Sequence, residues 1–168
     1  TGSFNDILNT YDLDCQYRFP AGKRHDVIGG IGYRLVDDDF QPGTTMFVPE
    51  KRKLNLYSAF IQDEISLVKE KLFLILGSKI QHNDYTGWEI QPSARLAFSP
   101  SAEHTVWASV SRAVRTPSRI DTDLRLRQPG LIFAGSSNFK SEKMTAYELG
   151  YRAQLAAALE FLRRSATG

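Results

Sequence analysis

Trp88-Glu89-Ile90-Gln91-Pro92-Ser93-Ala94-Arg95-Leu96-Ala97-Phe98 is the stretch that decides the fold. Trp88, Ile90, Pro92, Ala94, Leu96 and Phe98 alternate with Glu89, Gln91, Ser93, Arg95 and Ala97, and an extended strand turns that period of two into one apolar and one polar face. The same grammar repeats on either side. Leu72 to His82 places Leu72, Leu74, Leu76 and Ile80 opposite Gly77, Lys79 and Gln81; His104 to Ser111 sets Val106, Ala108 and Val110 against Thr105, Trp107, Ser109 and Ser111. Further out, Thr10 to Phe19, His25 to Val36, Leu54 to Leu67 and about Lys143 to Leu155 read the same way, with Asp63 misplaced on the apolar face of its strand. Seven strands in an antiparallel up-and-down meander are predicted.

The connections alternate in length. Pro20–Arg24, Lys69–Lys71 and Ser99–Glu103 are short; Asp37–Lys53, Asn83–Gly87 and Arg112–Glu142 are longer, and the last is expected to be irregular and mostly exposed. Tight turns on one rim and long loops on the other are the habit of membrane barrels. That arrangement puts Tyr11, Tyr33, Trp88 and Tyr147 near the long-loop rim and Phe19 and Phe98 near the short-turn rim, where interfacial aromatics belong.

Composition is compatible with this reading and excludes others. The chain has 168 residues, one domain's worth at most, with 21 Lys and Arg against 19 Asp and Glu, a net charge of +2 and 42% hydrophobic residues. So even a balance gives no electrostatic basis for binding nucleic acid, and the apolar fraction is too high for disorder. The longest apolar run, Leu72 to Leu76, is far short of a helical span, but a barrel strand needs only about ten residues. Thr1 to Asp6 has neither a basic nor an apolar leader region, which implies a cytosolic chain or one that begins inside a larger one. Two other architectures share the alternation: a complete small barrel of about eight strands, and a soluble β-sandwich or lipocalin-like ligand-binding barrel. The soluble form requires Ile90 and Leu96 to be buried while Glu89 and Arg95 face water.

Several pieces together resemble a known family. Tyr57–Ile65, Leu76–Tyr85, Pro92–Phe98, Trp107–Ser118 and Tyr147–Arg152 look like successive barrel strands of a TonB-dependent outer-membrane receptor, in the family's order and spacing. The resemblance implies an open segment of a barrel of about 22 strands in the outer membrane of a Gram-negative-type bacterium. It also implies partners: outer-membrane lipid and, in a full-length parent, a plug domain, TonB and a scarce ligand such as a ferric siderophore, haem or cobalamin. Residues 1–155 correspond to partial barrel. Ala156 to Gly168 departs from the alternation and reads as a helical or disordered tail, as a truncated or frame-altered product would have. Seven strands cannot close the parent's pore, so transport by this chain alone is not expected.

No catalytic machinery is legible. Asp63 and Glu64 are adjacent on a strand and point to opposite faces; His25, His82 and His104 sit near the ends of three strands; Ser109 and Ser111 have no His/acid partners. Cys15 is the single cysteine, no Cys/His spacing suggests a metal, and no cofactor is implied. Gly29-Gly30-Ile31-Gly32 precedes strand, not helix, so it is read as relief of crowding on a curved sheet. Two sets of candidate binding residues remain. Arg115, Arg119, Arg125 and Arg127 in the longest loop would attract an anionic ligand, a ferric siderophore or lipopolysaccharide phosphates. Lys79, Gln81, Glu89, Gln91 and Arg95 would face the lumen, or satisfy one another across strands.

Overall fold

The computed structural model describes residues 5–41, 45–128 and 130–154, with backbone alone at residues 5, 41, 45, 46, 127, 128 and 131. Along the chain run β1 (Asn5–Ala21), β2 (His25–Gln41), β3 (Thr45–Phe47), β4 (Lys51–Val68), β5 (Leu72–Asn83), β6 (Gly87–Ser101), β7 (His104–Arg115), α1 (Arg119–Thr122), β8 (Leu124–Gln128), β9 (Leu131–Ala134) and β10 (Glu142–Ala153). The seven long strands form one antiparallel sheet in the order β1-β2-β4-β5-β6-β7-β10, the expected meander; β3, β8 and β9 form a small second sheet. Among the described residues neither β1 nor β10 has a ladder partner on its far side. The sheet is therefore open, and the complete small barrel is not the observed architecture. The tail expected at 156–168 lies outside the described residues.

Register carries the alternation across the sheet. Between β5 and β6, Leu72 pairs with Phe98, Leu74 with Leu96, Leu76 with Ala94, Ile80 with Ile90 and His82 with Trp88, so the apolar residues of one face line up across the strands. Ile90 and Leu96 are 51% and 45% exposed on that face, while Glu89, on the other, is 5% exposed. A soluble barrel needs Ile90 and Leu96 enclosed and Glu89 and Arg95 in water, and of these only the exposure of Arg95 is met. Phe40 is the one large apolar side chain buried among the described residues, so no apolar core holds the sheet; its exposed greasy face requires a nonaqueous surrounding.

Aromatic rings mark both ends of that face. Tyr33, Tyr57, His82 and Trp88 stand in a row across β2, β4, β5 and β6, with centroids 5.0, 6.4 and 5.0 Å apart. At the opposite end Tyr17 stacks on Phe19, and His104 stacks on Tyr151 with its Nδ1 2.7 Å from the Tyr151 hydroxyl. Asp63, the residue that broke the alternation, is held on this face by His25 Nδ1 at 2.7 Å.

The polar face is crowded where strands bend, and glycine makes the room. A Cβ on Gly30 would stand 2.6 Å from the Phe60 ring, and one on Gly150 2.3 Å from the indole of Trp107. That indole also carries the Arg95 guanidinium, 4.9 Å from the ring centre.

Two loop expectations are corrected. Strand takes up most of Asp37–Lys53: β2 runs to Gln41, β4 starts at Lys51, and Asp37, Asp38 and Asp39 pair with Lys53, Arg52 and Lys51. Charge did not end the strands, because an acidic run faces a basic one, and Lys51 and Lys53 bind Asp39 and Asp37 at 2.6 and 3.3 Å. The segment Arg112–Glu142 is not irregular either, since it begins as strand, holds α1, β8 and β9, and buries Pro117, Arg119, Thr122, Asp123 and Gly135.

Candidate functional site

The long loops meet above one rim and assemble a cap. Its frame is backbone: β3 pairs with β8, joining the loop between β2 and β4 to the loop between β7 and β10, and Val48 N–H donates to the Asp123 carbonyl at 2.9 Å. α1 opens with a capping box, in which the Ser118 side chain accepts from Asp121 N–H and the Asp121 carboxylate accepts from Ser118 N–H. The helix thereby sets Arg119 inward.

Arg119 is the hub. Its guanidinium lies 2.8 Å from Asp38 on β2 and 3.3 Å from Asp123 and donates to the carbonyls of Pro49 and Glu50, while the Phe47 ring sits 4.9 Å away. Phe47 in turn packs edge-on against Phe40 at 4.7 Å. Arg52 completes the cluster, reaching Asp123 at 2.6 Å and covering the Tyr85 ring at 4.7 Å. Two cations and two carboxylates from three segments thus neutralise one another where water is largely excluded. Burial also pushes the Tyr85 phenol above its usual range, against the opposing pull of Thr122 and Arg52.

The expected arginines therefore have different employments. Arg119 is buried in the hub. Arg125 donates through Nη1 to the carbonyls of Thr122, Leu124 and Gly135, tying β8 to the start and end of its own loop. Arg115 is exposed and bridges Glu142 at 2.9 Å and Asp121 at 3.4 Å. Arg127 is placed by its backbone on β8, opposite Ile132. Sequence reasoning missed Asp38, Arg52, Phe47, Tyr85 and Asp123. The mirrored runs Asp37–Asp39 and Lys51–Lys53, and the Ser118-x-x-Asp121 cap, were the signals that could have shown two of the three segments meeting.

The polar-face set shares the side of the sheet opposite Ile90 and Leu96. Gln91 donates to Gln81 at 3.0 Å, Lys79 stands opposite Gln91 in the ladder, Arg95 lies on Trp107, and buried Glu89 is 3.6 Å from Lys143. Among the described residues no group of three or more His, Cys, Asp or Glu side chains could hold a metal ion.

The cap makes a pH prediction. Hydrogen bonds from Ser118 N–H and its hydroxyl, aided by Arg115, hold the Asp121 carboxyl below the ordinary carboxylate range. A lowered carboxyl stabilises the fold above its unfolded value, about 3.9, and that contribution is lost as pH falls through the lowered value. An NMR titration is expected to place the Asp121 midpoint below that of an ordinary aspartate, and Ser118→Ala to move it back up. An ordinary midpoint in the unaltered chain would contradict the capping geometry.

Comparison with known proteins agrees with this architecture. The family model described as TonB dependent receptor-like, beta-barrel matches residues 1–164, continuing past Leu155. No curated protein matches the sequence. The siderophore receptor PirA from Pseudomonas aeruginosa superposes with a TM-score of 0.76 at 18% identity, over 90% of this chain and 30% of that one. A mutant of the ferric enterobactin receptor PfeA from Pseudomonas aeruginosa gives 0.75 at 20% identity, over 89% and 25%. PirA from Acinetobacter baumannii gives 0.69 at 17%, over 89% and 25%. The chain thus spans about a quarter to a third of the length of these structures, and the likeness is one of fold.

Proposed function

The chain belongs to the TonB-dependent receptor-like β-barrel family, and from that premise we propose that it forms a wall segment of an outer-membrane receptor that takes up a ferric siderophore. The sidedness of the sheet carries the reading: Ile90 and Leu96 are exposed while Glu89 is buried opposite. Dimensions support it. Ten residues separate Trp88 from Phe98 on β6, about 33 Å of strand, which at a tilt of about 40° spans about 25 Å, the height of the apolar band of an outer-membrane barrel. The cap then stands on the extracellular rim and the three short turns face the periplasm.

In this reading the loop arginines divide their work. Arg119 and Arg125 shape the cap, and Arg115, exposed but paired with Glu142 and Asp121, meets an anionic ligand by exchanging one of those carboxylates for it; Arg127 lies on β8. Lys79, Gln81, Glu89, Gln91 and Arg95 line the lumen, where a plug domain and the permeation route belong, with TonB supplying energy from the inner membrane. An open seven-strand wall encloses no pore, so transport requires the remaining wall.

Deleting the coding segment for these residues in the iron-starved source bacterium is expected to abolish uptake of at least one ferric siderophore from a panel of catecholate, hydroxamate and mixed types. Unchanged uptake across the panel would overturn the proposal.

A further inference from the structure

The seam between β6 and β7 is shorter than its neighbours. The β5–β6 ladder extends to Asn83 opposite Gly87, and β7–β10 to Arg115 opposite Glu142, but β6–β7 pairing stops at Ser93 opposite Ser111. The next residue of β6 is Pro92, which has no N–H to give a neighbouring strand. Above it the two strands part, and the chain descending into β10 crosses the gap: Ser141 donates to Thr86 at 2.8 Å and Lys143 approaches Glu89 at 3.6 Å. A cleft of about 750 Å³ remains, lined by Tyr85, Trp88, Phe139, Lys140 and Ser141 among others, within the size range of ligand sites.

From this geometry we infer that the cleft binds the phosphorylated sugar headgroup of an outer-leaflet glycolipid. Trp88, 69% exposed, belongs to the aromatic row and lines the cleft from the apolar face, while Glu89 lines it from the polar face. Such a row stands at headgroup depth. Glu89 engages Lys143, whereas Lys140 pairs with no carboxylate among the described residues, so the cleft keeps an uncompensated cation beside aromatic rings. A phosphate answers the cation, and the sugar and upper acyl chain answer Trp88 and Phe139. The inference rests on the outer-membrane reading.

The test is native mass spectrometry of the chain in detergent micelles with bisphosphorylated lipid A or its dephosphorylated form. One tightly held lipid A per chain is expected, with binding at least about tenfold weaker for the dephosphorylated lipid and for Lys140→Glu. Lys140→Arg and Lys71→Glu, the latter on a turn at the other rim, should bind normally. Equal retention of both lipids, unaltered binding by Lys140→Glu, or displacement of lipid A by millimolar inorganic phosphate would overturn the glycolipid site. A chain that stays monomeric in solution without detergent would overturn the membrane reading as well.

Discussion

Replacing Arg119 by alanine is expected to open the cap. Arg119 and Asp123 are nearly buried, and Asp38 is only 14% exposed in its side chain. Removing the guanidinium leaves the Asp38 carboxylate without its cation while Asp123 keeps Arg52, and breaking a buried pair in this way costs about 3–5 kcal/mol. The carbonyls of Pro49 and Glu50 lose a donor in the same step, and Phe47 loses its cation. The cost falls on the cap and on the end of the β2–β4 ladder where Asp38 sits, not on mid-sheet. Amide exchange reads this directly, because Val48 N–H is bonded to the Asp123 carbonyl. Its protection should fall by about two to four powers of ten, as 1.36 kcal/mol is tenfold, while amides of β5 in mid-sheet stay protected. Arg119→Lys should recover only part of the loss, because an ammonium cannot match the fork that reaches two carboxylates and two carbonyls. Unchanged protection at Val48 in Arg119→Ala would show that the cap holds without its hub.

The second large effect distinguishes the two faces by adjacent residues. Ile61 and Gln62 are neighbours on β4 and point to opposite sides; Ile61 is 60% exposed on the apolar face, midway between Tyr57 and Ile65. Against lipid, a lysine at that depth is expected to cost about 2–4 kcal/mol. Gln62→Lys puts the same charge on the polar face, where surface substitutions stay within about 0.5 kcal/mol. The two variants, compared by denaturant unfolding from lipid vesicles, should differ by the whole of that amount. If Ile61→Lys and Gln62→Lys unfold alike, the apolar face does not contact lipid, and both the wall-segment reading and the depth assigned to the Trp88 row fail.

Both variants draw on what was legible before any coordinates: the alternation from Trp88 to Phe98 and its repeats fixed the seven strands, their faces and the short turns. Asp63 stood out as an exception, and its partner His25, 38 residues away, could not be read along the strand. At Asp37–Lys53 and Arg112–Glu142 the polar runs predict loop, and the structure differs for one reason. A charged segment looks solvated until its countercharges are located, and Asp39 with Lys51, or Asp38 with Arg119, meet only once the chain has turned back on itself.

The arginine-rich loop shows the division most clearly. Summing its charges predicts attraction for anions, but a sum cannot distinguish Arg115, left exposed, from Arg119, which is enclosed by Asp38, Asp123 and the carbonyls of residues 69 and 70 positions earlier. The sequence by itself determined that this protein is a two-faced antiparallel meander, because the side-chain direction along a strand is set by covalent geometry with a period of two, and that the meander stays open was decided by the structure. Tertiary structure alone decided which charges are free and which are spent, and where the wall parts between β6 and β7, because those outcomes depend on distances between segments far apart in the chain.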